Sequence, residues 1–338
     1  MAKWTVADIP SQQGKLAVVT GGNSGIGWHT ALELARAGGE VILTARSEVK
    51  GRDAAERIRR QVPKAKVQFE ILDLASLRSV RAFAAKIVGE AKLDLLVNNA
   101  GVMMVPRRHL TEDGFEIQFG TNFLGPFALT GLLMPVLLRA TAPRVTMVTS
   151  GAANMGIKRI NFDDLQWEKS YGPWKSYCQS KLADLLFAQE LARRSAAAGV
   201  NLLSNAAYPG YARTNLQRSG PERPTISLPE RIFAGIMSQD AAHGALPTLR
   251  AATALDAAAG SYYAPDGIFH AKGDPVLIPI PKPAEDMAAA RRLWQISEDL
   301  TGVEFKSVGS TAGAAHYTTG SLEEDWRARS LRTKRSEG

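Results

Sequence analysis

The chain has 338 residues, of which 45% are hydrophobic and 22% charged, with a formal net charge of +8 from 41 basic and 33 acidic side chains. Such a composition is globular and long enough to bury a substantial core, in one large α/β domain or two small ones. One cysteine, Cys178, excludes an intramolecular disulfide and fits a reducing compartment. No basic stripe with interleaved aromatics marks nucleic-acid binding, and the positive excess also suits a polyanionic small molecule.

Residues 1–15 read as an N-terminal arm, loosely attached, with no apolar stretch of the signal-peptide kind. No apolar run is expected to reach the ~18–20 residues of a membrane helix, so the chain is expected to be cytoplasmic and without a span. From residue 16, short β-branched or leucine-rich runs alternate with longer helical patterns. Strands are predicted over 16–20, 40–45, 66–72, 93–99, 144–150 and 201–208, and helices near 25–38, 51–61, 76–90, 114–140 and 174–199. Strands apolar on both faces, alternating with helices, predict a doubly wound parallel sheet of the Rossmann type with helices on both faces. One domain is expected over 16–305. Within it, 209–240 is polar and proline-interrupted and reads as a mobile lid over substrate, with Leu216, Ile226, Leu228 and Phe233 facing the ligand when closed. A helix over 239–253, a strand near 261–263, a proline-studded loop over 271–285 and a helix over 286–301 complete the pattern. The tail 306–338, with a capping box at Ser321 and Glu324, reads as flexible.

The stretch "TGGNSGIG" (20–27) follows the first strand and opens the first helix. In that context glycines permit a tight turn at Gly21, close backbone approach to a pyrophosphate at Gly25, and close helix–strand packing at Gly27. The helix N-terminus then offers N–H groups and a positive dipole end to phosphate. At the end of the second strand, where an NAD site usually has a carboxylate for the ribose 2′-OH, this chain has Arg46, followed by Lys50. A guanidinium suits a 2′-phosphate, so the pattern predicts NADP(H); Glu48 is the nearby acid that would instead select NAD. Asp73, after the third strand, would either accept from an adenine amino group or cap its own loop.

Tyr177 and Lys181 stand four residues apart on a predicted helix, hence on one face. A free phenol titrates near 10 and matches neutral chemistry poorly; an adjacent ammonium is expected to lower it. Ser150 ends a strand on the predicted cofactor side and either orients a substrate oxygen or serves its own turn. Trp167, Tyr171 and Trp174, and Met103 in "MMV", line an apolar pocket or simply pack. Cys178 reads as a packed residue rather than a reactive thiol, and five histidines without ligand spacing predict no metal site.

Taken together, these motifs resemble the short-chain dehydrogenase/reductases: "TGGNSGIG", "NNAG" (98–101), Asn122 in "TNFLGPF", Ser150, "YCQSK" (177–181) and "YPG" (208–210), in family order over residues 15 to about 270. The resemblance implies a carbonyl–alcohol oxidoreductase using NADP(H). Tyr177 would be general acid or base, Lys181 would bind the nicotinamide ribose and tune the phenol, Ser150 would orient the substrate, and Asn122 would hold a water in a relay ending at Lys181. Cofactor contacts are implied for Gly21, Asn23, Ser24, Gly25, Ile26 and Gly27; for Arg46, Lys50, Asp73 and Leu74; for Asn99, Ala100 and Gly101; and for Pro209, Gly210 and Thr214, besides Tyr177 and Lys181. Substrate contacts are implied for Ser150, Met103, Trp174 and Tyr211. Within the family, 160–194 and 44–58 resemble the retinol dehydrogenase and protochlorophyllide reductase branch, departing from it at Asn154 and in 209–240. The substrate is expected to be a small, apolar, fairly bulky molecule. Alternatives are reduction of a conjugated C=C bond and a non-catalytic nucleotide-sensing scaffold. By family analogy, the helices near 114–140 and 174–199 are expected to pair between subunits of a homodimer or tetramer through Leu129, Leu132, Leu133, Leu186 and Leu191, with simple core packing of the same leucines as the alternative.

Overall fold

A computed structural model describes residues 3–211 and 239–308. The strands are β1 (Leu16–Val19), β2 (Glu40–Ala45), β3 (Lys66–Ile71), β4 (Leu95–Asn98), β5 (Arg144–Val148), β6 (Leu203–Ala207), β7 (Tyr262–Pro265) and β8 (Pro275–Ile278). They form one 8-stranded sheet in the order β3-β2-β1-β4-β5-β6-β7-β8. β1 through β7 pair in parallel, and β8 closes the edge antiparallel to β7. The Rossmann-type sheet is therefore as expected, with an added edge strand where the sequence read as a proline-studded loop. Pro275 sits at the first position of β8, paired with Pro265 at the end of β7, where strands tolerate a residue without an N–H.

The helices are α1 (Gly25–Arg36), α2 (Glu48–Gln61), α3 (Leu77–Ile87), α4 (Ile117–Leu137), α5 (Pro173–Ala197), α6 (Ala241–Thr253) and α7 (Met287–Thr301). α1, α2 and α6 share a core with Val19, Val41, Leu43, Val67, Leu95 and Val97 on one face of the sheet. α3, α4 and α5 cover the other face, and α7 packs on α4 and α5. By length and composition α4 could cross a membrane, contrary to the expectation that no apolar run is long enough; 89% of it is buried within the protein. It is apolar all round because it is enclosed all round.

Leu129 and Leu133 on α4, and Leu186 and Leu191 on α5, are core residues of the single chain, and Leu132 is half-buried. The apolar patch expected to join subunits is thus not a surface: the chain's own α7 and the segment after it lie over these helices. Phe127, Phe187, Trp294 and Phe305 meet there, with centroids 5.4 Å apart for Phe127–Trp294 and 4.5 Å for Trp294–Phe305. The Arg194 guanidinium stacks 4.4 Å from the Trp294 centroid.

Residues 3–9 are not loose. Thr5 and Asp8 form a capping box around a short turn, Trp4 and Ile9 pack on the core, and Lys3 pairs with Asp274 at 2.8 Å. At the other end, Val308 is buried, so the packed unit runs past the expected limit of 305. Thr214, Leu216, Ile226, Leu228 and Phe233, most of the expected lid, and the tail from Gly309 lie outside the described residues.

Trp294 is 2% exposed at the centre of the aromatic cluster. Replacing it with alanine is expected to lower the unfolding free energy by about 3–5 kcal/mol, measured as a shift of the denaturation midpoint at constant slope. A loss under 1 kcal/mol would show that the cluster collapses around the gap.

Candidate active site

The strand order reverses between β1 and β4, and the loops leaving their carboxyl ends diverge there to leave a crevice. Thr20 stitches the two loops together. Its hydroxyl accepts from the amides of Asn99 (2.9 Å) and Ala100 (3.0 Å), and its carbonyl accepts from the Asn99 side-chain amide at 2.8 Å. Gly21 adopts φ 65°, in the left-handed region, and a Cβ there would lie 3.0 Å from Ala100 Cα. At Gly27 an added Cβ would meet the Asn99 side-chain nitrogen at 2.4 Å and the Gly21 carbonyl at 2.5 Å. Ser24 is the N-cap of α1 but makes no side-chain capping bond. Ile26 packs on the core, and the Asn23 carbonyl accepts from Arg57 at 3.1 Å.

Arg46 follows β2, and Lys50 lies in the first turn of α2; both are exposed at the same edge of the sheet. The Glu48 carboxylate is bound by Arg52 at 2.6 Å. Asp73 accepts from the Ala75 amide at 3.0 Å, the local-cap alternative, and Leu74 is buried, with its carbonyl where a side chain on Gly125 would go.

Asn122 lies in a π-helical turn within α4, where the Gly125 amide donates to the Gly120 carbonyl. Its side chain makes three hydrogen bonds. Oδ1 accepts from the Val102 amide at 2.7 Å, while Nδ2 donates to the Val102 carbonyl at 2.9 Å and to the Ser180 hydroxyl at 2.8 Å. The side chain therefore clamps the loop after β4 to α5. Gly101 lies alongside; a Cβ there would be 3.0 Å from Asn122 Oδ1 and 3.8 Å from Lys181 Nζ.

α5 carries Tyr177 and Lys181, buried, into the same region, beside the end of β5. Lys181 Nζ donates to the Val148 carbonyl at 3.0 Å and to Asp184 at 2.8 Å, and the Thr149 hydroxyl donates to the Lys181 carbonyl at 2.8 Å. The Ser150 hydroxyl caps the turn Gly151–Asn154 through the Ala152 amide and lies near enough to the Tyr177 phenol to favour its ionised form. Burial pushes the phenol up; Lys181 and Ser150 pull it down without offsetting burial, so it stands above its ordinary value. The expected depression by the ammonium is thus outweighed in the ligand-free protein. Burial pulls the Lys181 ammonium down, but Asp184 and Tyr177 more than compensate. Burial pushes the Asp184 carboxyl up to about 7 and the Cys178 thiol up to about 12, which fits a packed rather than a reactive cysteine.

Met103 packs on a cluster of Ala152, Tyr177 and Cys178, and Trp174 is 40% exposed with its ring centroid 6.0 Å from that of Tyr177. Trp167 is buried, and Tyr171 donates to the Val105 carbonyl at 2.6 Å, so both pack rather than line an opening. The Pro209 carbonyl accepts from Gln239 at 2.9 Å, Gly210 has φ 70°, and Tyr211, 41% exposed, donates from its amide to Ala271 at 2.7 Å. Among the described residues no cluster of His, Cys, Asp or Glu has the makings of a metal site.

Three contributors escaped the sequence reading. Tyr208 stands so close that a Cβ on Gly151 would lie 2.9 Å from its hydroxyl. Glu116, fully buried, caps α4 through the amides of Gln118 (3.0 Å) and Phe119 (2.8 Å) and accepts from the Ser176 hydroxyl at 2.6 Å, tying α4 to the start of α5. Asp184 lies one turn beyond Lys181, and only that spacing hinted at it.

A family model described as short chain dehydrogenase matches residues 15–163. Human retinol dehydrogenase 13 is 43% identical over 308 residues, 89% of this chain and 88% of that protein. Human retinol dehydrogenase 14 is 38% identical over 306 residues, 86% and 87% of the two chains. Among solved structures, an uncharacterized protein from Mycobacterium paratuberculosis superposes with a TM-score of 0.74 at 42% identity, over 90% of this chain and 99% of the other. A short chain dehydrogenase from Shigella flexneri complexed with NADP does so with a TM-score of 0.57 at 25% identity, over 75% and 97%. The chain belongs to the short-chain dehydrogenase family, whose members are oxidoreductases with nicotinamide cofactors. Within it, the chain falls in the retinol dehydrogenase-like branch.

Because a Cβ on Gly27 has no room, Gly27→Ala is expected to force the Gly21 turn away from the loop after β4 and to cost about 1–3 kcal/mol of stability. Chemical denaturation measures this. Wild-type stability in the variant would mean that the two loops separate freely.

Proposed function

We propose that the chain interconverts an apolar, fairly bulky aldehyde or ketone and the corresponding alcohol with NADP(H). The observation that supports this best is the convergence of Tyr177, Ser150 and Lys181 at the carboxyl end of β5, beside the glycine-rich turn and the loop after β4. The residues fit the cofactor. The turn has no room for side chains at Gly21 or Gly27, the first N–H groups of α1 are not capped by Ser24, and Arg46 and Lys50 offer two cations near the end of β2. Glu48, the acid that would favour NAD, is held by Arg52.

When bound, the nicotinamide supplies a hydride. The chain's own residues handle the oxygen and its proton. Tyr177, protonated in the ligand-free protein, donates its proton to the carbonyl oxygen as the hydride reaches the carbonyl carbon, and takes it back in the reverse direction. Ser150 donates a hydrogen bond to the same oxygen. Lys181 opposes charge left on the phenol and holds the ribose. Asn122 acts through its clamp on Val102 and Ser180, which sets the distance between the loop after β4 and α5. Met103, Trp174 and Tyr211 contribute apolar surface around the opening, which fits an apolar substrate.

Tyr177→Phe is expected to reduce turnover about 10²–10⁴-fold with NADPH binding unchanged, read as loss of NADPH absorbance over a panel of aldehydes, ketones and enones. Substantial residual activity would remove Tyr177 from the reaction, and selective consumption of enones would reassign the reaction to C=C bonds. Arg46 and Lys50 together are expected to favour NADPH over NADH by ~2–4 kcal/mol. Titration of both cofactors into wild type and Arg46→Ala tests this; equal affinities in the wild type would overturn it.

A further inference from the structure

We infer that Asp184 is a positioning residue for the Tyr177–Lys181 pair: by engaging the Lys181 ammonium, it keeps the proton on the Tyr177 phenol, the form that serves carbonyl reduction. The inference rests on the roles proposed above for Tyr177 and Lys181.

The geometry is that of a built-in counter-ion. Asp184 is 1% exposed and Lys181 is 4% exposed, and their side chains meet at 2.8 Å. Two of the three ammonium hydrogens are committed, one to Asp184 and one to the Val148 carbonyl. The second carboxylate oxygen of Asp184, Oδ1, is buried without a hydrogen-bond partner. A carboxylate needed only for packing would be better replaced by an amide or an apolar group, because an unsatisfied charged oxygen is costly in a dry interior. What the acid supplies is negative charge beside the ammonium.

The phenol feels that charge. An isolated ammonium stabilises a nearby phenolate, but an ammonium paired with a carboxylate acts from a distance as a dipole, and most of its pull is cancelled. Lys181 and Asp184 accordingly act on Tyr177 in opposite directions. Among the described residues, the other ionisable groups facing the pair are Cys178, on the same helix, and Tyr208, at the end of β6; both are neutral at physiological pH. Among the described residues, Asp184 is therefore the one negative charge next to the lysine that bears on the phenol.

The test uses the full chain and Asp184→Asn, which keeps an acceptor for Lys181 and removes the charge. Asp184→Ser is the second variant should the amide fail to fold. In alcohol oxidation, where Tyr177 must be ionised, the acid limb of the kcat/KM profile is expected to move down by about one pH unit, a tenfold change in proton affinity. Without cofactor, Tyr177 ionisation is read as phenolate absorbance by difference against Tyr177→Phe, and it is expected to shift the same way. Stability gives a further readout. The Asp184 carboxyl is raised from 3.8 to about 7, so its ionisation opposes folding. Its contribution is fully present below the lower value and is lost as pH rises to the upper one. The wild-type denaturation midpoint should fall across that window, and the fall should be reduced in the variant. If the stability profile changes while the phenolate titration and the acid limb stay at wild-type positions, Asp184 is only a structural counter-ion and the inference is overturned. If Tyr177→Phe retains turnover, it is the proposed catalytic assignment that fails.

Discussion

The hydroxyl of Thr20 is the point on which the site's geometry depends. A parallel sheet delivers all its loops to one edge, but β1 and β4 send theirs in opposite directions, and something must fix the gap between them. Thr20 does so with one oxygen that receives the amides of Asn99 and Ala100, while the Asn99 side chain returns a bond to the Thr20 carbonyl. The glycines follow from that closeness: with the two backbones held in contact, Gly21 and Gly27 have no space for a side chain. The position of helix α1, and hence of its N-terminal N–H groups, is set by the same contact.

A second clamp carries this order to the reacting groups. Asn122 holds the loop after β4 with three hydrogen bonds to Val102 and Ser180, and Glu116 ties the first turn of α4 to Ser176, the residue before Tyr177. The phenol is thus located by a chain of short polar contacts running from β1 through the β4 loop and α4 to α5. The links made by Asn122 and Glu116 are buried and those made by Thr20 part-buried, where hydrogen bonds are strong and an unmade one is costly.

Much of this was legible in the sequence because glycine spacing, strand–helix alternation and the i, i+4 placement of Tyr177 and Lys181 are local patterns. Among the described residues, the strands β1 to β7 and all seven helices were expected close to where they lie. β8 was missed because its pairing with β7 is made across a turn and its prolines suggested a loop. Whether the leucines of α4 and α5 were interface or core stayed open for a related reason: periodicity shows which face is apolar but not what covers it, and here the cover, α7 (Met287–Thr301), begins 114 residues after α5 (Pro173–Ala197) does. The direction of the Tyr177 shift was also out of reach, since burial is a tertiary property and outweighs the neighbouring charge. Asp184 and Glu116 had no motif to announce them, and Tyr208 stood in "YPG" with no role read for it, because each acts through contacts with groups already named.

The aromatic seal of Trp294 and Phe305 over α4 and α5 has a consequence for how the chain comes into being. α4 and α5 are made early during synthesis, and their large apolar face stays uncovered until residues 287–305 have left the ribosome. Through that interval the nascent chain presents phenylalanines and leucines to its surroundings, as late-closing contacts of high sequence separation do. A ribosome that stalls before α7 releases a chain whose sheet is nearly complete yet whose largest helical face is sticky. Quality control in the cell would therefore meet this protein chiefly as a product lacking its last packed segment.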